Sequence, residues 1–176
     1  MAKIGVTGHV RLDGTTPELV YQSLLSALRE HATPAPHGVT CLADGSDQLF
    51  ARAVLALGGT FDVVLPAGDY RARAAADGHL ASFDELLARA GSVETMPFAR
   101  SSRAAYRAAS MHLLQRVELL IAVWDGRPSR NLGDTADVVD AARRIGLPVL
   151  VRWPAGARRL LSRPRARRTC RQDSYS

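Results

Sequence analysis

Cysteine is scarce in this chain: there are two in 176 residues, Cys41 and Cys170. They lack metal-ligand spacing and cannot build a disulfide framework, which suits a reduced, cytoplasmic protein and leaves no metal site to expect. No apolar run approaches the roughly 20 residues needed to cross a bilayer. No signal-like apolar segment precedes the first predicted strand, so secretion is not expected. The two commonest phosphate signatures are missing as well. Gly5-Val6-Thr7-Gly8 supplies two glycines at a spacing other than G-x-G-x-x-G, and no Gly-Lys-Ser/Thr of a Walker loop occurs. There is no internal repeat and no sign of a second folded unit.

Charge is present but unevenly spread. The formal net charge is +6, yet residues 152–176 hold eight arginines and a single acid, Asp173, and are +7 on their own. Residues 1–151 are therefore −1. A basic arm can grip nucleic acid or an anionic surface without reading sequence. This one has almost no aromatic interleaving, the usual mark of single-strand stacking, and reads as a solvated tail. The expected division is one domain over 1–153 and an arginine-rich tail over 154–176, with nucleic acid reachable only through 158–171.

Helical and extended signals alternate from end to end, which predicts an α/β, Rossmann-like fold with a mostly parallel central sheet and helices on both faces. At 47% hydrophobic residues, a full core is expected. Strands are expected at Lys3–Thr7, Val39–Ala43, Phe61–Leu65, Val93–Phe98 and Leu119–Val123, and after Pro148. Between them lie helices over Leu19–His31, from Asp47 to about Leu57, over Gly68–Gly91 with a break near Gly78, over Ser101–Val117, and from Thr135 to Gly146. Leu119–Val123 is continuously apolar, as a parallel strand covered on both faces should be.

In such a sheet the turns after the strands share one edge, where ligands bind. Those turns are Thr7-Gly8-His9, Ala43-Asp44-Gly45-Ser46-Asp47, Pro66-Ala67-Gly68-Asp69-Tyr70 and Trp124-Asp125-Gly126, and Thr7, Gly8, His9, Arg11, Asp44, Gly45, Ser46, Pro66, Asp125 and Gly126 are the candidate contacts. Gly133-Asp134-Thr135 opens a helix, whose N–H groups and positive dipole end suit a phosphate. On the helix over 101–117, Arg103, Tyr106, Arg107 and Ser110 recur at helical spacing and suit recognition of a phosphate or base. Asp125, Asp134 and Asp137 are fit for ribose hydroxyls, a metal or proton transfer; Asp134 and Asp137 equally suit a helix start.

Taken in order, K-I-G-V-T-G-H (3–9), A-D-G-S-D-Q (43–48), V-V-L-P (63–66) and L-L-I-A-V-W-D-G (119–126) followed by G-D-T-A-D-V-V (133–139) resemble the SLOG superfamily. Those Rossmann-like proteins include the LOG phosphoribohydrolases and the DNA-processing protein DprA. The resemblance spans residues 3–153. It implies a nucleotide-type small-molecule ligand, often a homodimer, and no dedicated cofactor beyond a bound nucleotide or phosphate. The LOG motif G-G-x-G-T-x-x-E, aligned on Thr135, puts its Glu at Val138, and the LOG arginine falls at Ala109. Asp134 stands where the late motif has its second glycine. The resemblance therefore implies binding first. The alternative is nucleoside 5'-monophosphate phosphoribohydrolase activity with Asp137 and Arg107 as a non-standard catalytic pair.

Overall fold

The computed structural model describes residues 2–32, 34–128 and 134–159. The alternation resolves into β1 (Lys3–Gly8), α1 (Thr16–His31), β2 (His37–Thr40), α2 (Ser46–Ala56), β3 (Thr60–Leu65), α3 (Tyr70–Ala76), α4 (Leu80–Leu87), β4 (Ser92–Thr95), α5 (Arg103–Leu114), β5 (Leu119–Val123), α6 (Thr135–Arg144) and β6 (Val149–Val151). The six strands form one sheet in the order β4-β3-β2-β1-β5-β6, and every pairing is parallel. From β1 the chain steps outward to β4, then returns to the other side of β1 as β5. The strand order thus reverses between β1 and β5, and a crevice opens beyond their carboxyl ends. Gly8 is in register with Val123, so the loops after these two strands leave side by side.

Local chemistry explains most element ends. Pro17 sits in the first turn of α1, and Arg29 and His31 complement its negative end. Asp134 caps α6 by accepting from the N–H of Asp137. Gly78, at φ +83°, separates α3 from α4 where a break was expected. Two strands differ from expectation. β2 ends at Thr40 instead of running on to Ala43, because Leu42 adopts φ +55° and turns its N–H to the Thr40 hydroxyl at 3.0 Å. β4 stops at Thr95 and is exposed along its length.

Each face of the sheet buries its own core. Phe50, Phe61, Leu24 and Ile121 pack under α1, α2 and α4. Leu113, Leu120 and Val138 pack under α5 and α6. Gly5 lets α5 lie close on β1, since a Cβ there would come within 2.7 Å of Leu113 Cδ2.

At the amino-terminal edge, Asp62 of β3 ties four strands together. Its Oδ2 accepts from Lys3 Nζ of β1 at 3.0 Å and faces His37 Nε2 of β2 at 2.9 Å. Its Oδ1 accepts from Ser92 Oγ of β4 at 2.7 Å. Desolvation pushes the Asp62 carboxyl up, but the bonds from His37, Ser92 and Lys3 outweigh it and hold the group well below the usual carboxylate range.

Beyond β6 the chain crosses back over the β1–α1 loop. Arg152 pairs with Glu30 of α1 at 3.0 Å. The Asp13 N–H donates to the Arg158 carbonyl at 3.0 Å, and the Arg158 N–H donates to Thr16 Oγ1 at 2.7 Å. Leu12 and Arg159 form an antiparallel bridge. The arginines of 160–176 lie outside the described residues. No helix among the described residues is long and apolar enough to cross a membrane.

Candidate ligand cleft at the switch point

The loops at the carboxyl edge enclose a cleft of about 650 Å³. Its floor is the close meeting of β1, β5 and the start of α2. A Cβ on Gly8 would approach Ser46 Cβ and Oγ at 2.6 Å and Val123 Cβ at 2.8 Å, so only glycine fits without a shift. Ser46 Oγ donates to the His9 carbonyl at 2.8 Å. Gly45, at φ +82°, sits with its Cβ position 3.0 Å from that same carbonyl. Gly8→Ala is therefore expected to cost about 1–3 kcal/mol as overpacking, read as a lowered urea midpoint. An unchanged midpoint would show that these backbones are not held so close.

His9 and Asp125 bridge the switch point. His9 Nε2 lies 3.1 Å from Asp125 Oδ1, and each side chain is 10% exposed. The Asp125 N–H also points at Nε2, at 3.3 Å. One proton cannot serve both contacts, and the shorter, charge-assisted bond to the carboxylate fixes it on Nε2. The ring is held edge-on by Trp153 at 5.3 Å. Asp125 further accepts from the Arg127 N–H at 3.1 Å. Its Oδ2 lies 3.2 Å from Arg159 Nε, close enough for charge attraction but not aligned as a hydrogen bond. Burial lowers the His9 pKa against the raising pull of Asp125, so the ring is neutral at pH 7. Desolvation raises Asp125, and the Arg127 N–H and His9 outweigh it, leaving a depressed, ionised carboxylate.

Asp47, in the first turn of α2, also lines the cleft. Its Oδ2 accepts from the Thr40 hydroxyl and the N–H groups of Cys41 and Ala43. Burial nevertheless pushes its carboxyl up to about 6. Burial also pushes the neighbouring Cys41 thiol up, which makes it an unreactive thiol and not a nucleophile. Among the described residues, two buried side-chain polar atoms lack a hydrogen-bond partner, Asp134 Oδ2 and Arg159 Nε. Both residues line this cleft. Among the described residues, no cluster of side chains could hold a metal ion.

Of the residues expected from sequence, Thr7, Gly8, His9, Arg11, Asp44, Pro66, Tyr106, Asp134 and Thr135 line the cleft. Gly45 and Ser46 support its floor from behind, and Asp125 reaches it through His9 and Arg159. Gly126 ends the β5 turn at φ +77° and contributes no wall. Gly133 lies outside the described residues. Arg103 and Arg107 do not line it, because α5 turns Tyr106, Ala109, Ser110 and Leu113 inward instead. Arg107 Nε donates to Asp137 Oδ2 at 3.1 Å, and neither residue is on the cleft wall. Asp47 and Tyr70, which close the turns read after β2 and β3, line the cleft as well. Sequence reasoning missed Arg159, which carried no local signal.

No family model matches the chain, and no curated relative does. Solved structures do match, and they share this Rossmann-like fold of a parallel sheet covered by helices. DNA processing protein A (DprA) from Streptococcus pneumoniae superposes with a TM-score of 0.62 at 17% identity, over 86% of this chain and 50% of that one. TM1055, a structural-genomics target, gives 0.54 at 15% identity over 85% of this chain and 72% of its own. The Moco carrier protein of Chlamydomonas rheinhardtii gives 0.52 at 15% identity, over 85% and 74% respectively. The chain thus shares their fold and spans half the length of the pneumococcal protein.

Proposed function

We propose that the protein binds a nucleotide or nucleotide derivative in the switch-point cleft. The observation that carries this reading is the pair of unsatisfied buried atoms, one acceptor and one donor, in the same cavity. Buried polar groups are ordinarily satisfied, and an orphan such as Asp134 Oδ2 costs about 1–3 kcal/mol, while Arg159 Nε keeps only the charge of Asp125 beside it. A ligand that presents both hydroxyl donors and an anionic acceptor relieves both, as ribose and phosphate do. The cleft, at about 650 Å³, has room for roughly 20 waters at about 30 Å³ each, the bulk of a mononucleotide.

Charge decides the orientation. The α6 start, expected to seat phosphate, carries about +0.5 of a charge from its dipole, while the Asp134 carboxylate there carries a full negative charge. The negative charge prevails, so this end suits ribose hydroxyls. Phosphate then goes toward Arg159, with His9 and Arg11 beside it. The phosphoribohydrolase alternative gains nothing from Asp137 and Arg107, which pair with each other off the cleft; Val138 and Ala109 are the residues on its wall.

Thermal shift and calorimetry against mononucleotides, cyclic nucleotides and ADP-ribose test the reading. At 100 times its dissociation constant, a true ligand is expected to add about 2.7 kcal/mol of stability. No stabilisation by any of them would sink the proposal.

A further inference from the structure

We infer that Asp47 reads the base of the bound nucleotide, accepting a hydrogen bond from the amino group of adenine or cytosine. The inference rests on the nucleotide reading above. Three donors hold the Asp47 carboxylate, Thr40 Oγ1 and the N–H groups of Cys41 and Ala43, and all three go to Oδ2. No described group donates to Oδ1, which is not sealed off as Asp134 Oδ2 is. Asp47 is 6% exposed and lines the cleft, so this oxygen is what it offers a ligand.

The surroundings suit a base and not a second phosphate. Tyr70 faces Asp47 from α3, and Tyr106 of α5 lies edge-on to Tyr70 at 6.1 Å. Both rings and Ala74 line the cleft, where the apolar faces of a base gain by leaving water. A phosphate would meet the Asp47 charge. The sheet order sets the span. Asp47 follows β2, Asp134 follows β5, and β1 lies between them. At about 4.8 Å per strand the two strand ends are about 10 Å apart, room for a base at Asp47 and a sugar phosphate beyond it.

The single free oxygen selects among bases. Guanine presents two adjacent donors, N1–H and its 2-amino group, and needs both oxygens of a carboxylate. Adenine and cytosine each present one amino group, which one oxygen satisfies. Uracil has no amino group, and its N3–H lies between two carbonyls that a carboxylate repels.

Protonation gives the site a signature. Burial pushes the Asp47 carboxyl up to about 6. A proton added below that value goes to Oδ1, because Oδ2 already accepts three bonds, and turns the acceptor into a donor. The preference for an amino group should therefore be full near pH 8 and fall as pH drops through 6. Cys41 and Tyr70 face Asp47, and burial pushes both up, so neither ionises in this range. His9, Arg73, Asp77, His79 and Tyr106 also line the cleft. They act alike on two nucleotides that differ only in the amino group.

The test is calorimetry of the full chain with AMP and with purine riboside 5'-monophosphate, which is AMP without its amino group. At pH 8 AMP is expected to bind about 10- to 100-fold more tightly, the worth of one hydrogen bond to a charged group. At pH 5, below the Asp47 value, that ratio should shrink about tenfold, and the shared phosphate cancels in it. Asp47→Asn keeps the Oδ2 bonds with its carbonyl and turns its N–H toward the base, so it should erase or reverse the ratio at pH 8. Its urea midpoint verifies that it folds. Equal affinity of wild type for the two nucleotides at pH 8 overturns the assignment and leaves the binding reading standing. An unchanged ratio in Asp47→Asn, or tighter binding of GMP or UMP than of AMP, does the same. Failure of every nucleotide to bind overturns both.

Discussion

Replacing Asp62 by alanine is expected to lower stability by about 3 kcal/mol, the low end for breaking a buried ion pair. Asp62 is itself 6% exposed, so its loss leaves the half-buried His37 without its carboxylate partner and opens a gap at the sheet edge. Lys3 softens the blow, because its side chain is 37% exposed and can rehydrate. Each kcal/mol is worth about 2–4 °C for a protein of this size, so the melting temperature should fall by roughly 10 °C. The pH dependence has a definite sign. A carboxyl depressed in the folded state stabilises fully above its unfolded pKa of about 3.9. That contribution drains away as pH falls further toward the folded value. Wild type should therefore lose stability below about pH 4, and the alanine variant should show a shallower acid limb. Equal urea midpoints for the two at pH 7 would remove Asp62 from its place as the tie across four strands.

Asp47→Asn should act in the opposite direction. The Asp47 carboxyl rises from 3.8 to about 6 on folding. Its contribution is fully present below pH 3.8 and is lost as pH rises through 6. Asparagine is neutral at every pH, and its carbonyl oxygen can accept from Thr40, Cys41 and Ala43 as the carboxylate does. At about 1.36 kcal/mol per pH unit, the variant should gain about 3 kcal/mol near pH 8 and nothing near pH 4. Urea midpoints at the two pH values read this directly, and a less stable variant at pH 8 would refute it. A charge that costs stability and faces a cleft is the kind of rule violation found at functional sites. The gain should accordingly come with weaker ligand binding.

The fold was legible because its signals are local. Continuous apolar runs marked buried parallel strands, and Gly58-Gly59, Gly78 and Gly146 marked helix ends. The misjudged end of β2 turned on Leu42, whose left-handed backbone is set by the Thr40 hydroxyl and by burial, not by residue type. For the same reason the strand-end residues of the site, Thr7 to His9 and Asp44, and the helix cap Asp134, could be picked out beforehand. Arg159 could not, since it enters the cleft through a bridge to Leu12 formed only in the folded chain. The spacing of Arg103, Tyr106 and Arg107 identified a helix face, but a helix does not say which face its neighbour takes. The packing of α5 against β1 and α6 chose Tyr106 and Ala109.

The bridge between Leu12 and Arg159 also sets a timetable. A chain emerging from the ribosome at about 5–20 residues per second can pair β1 with β2 and β3 early. His9 meets Asp125 only after β5 has appeared, and Arg159 arrives later still. A nascent chain lacking its last described residues holds most of the sheet but only a half-built cleft. On the binding reading proposed above, ligand capture waits until residue 159 is in place, and a chain cut short before residue 159 is expected to fold without gaining the site.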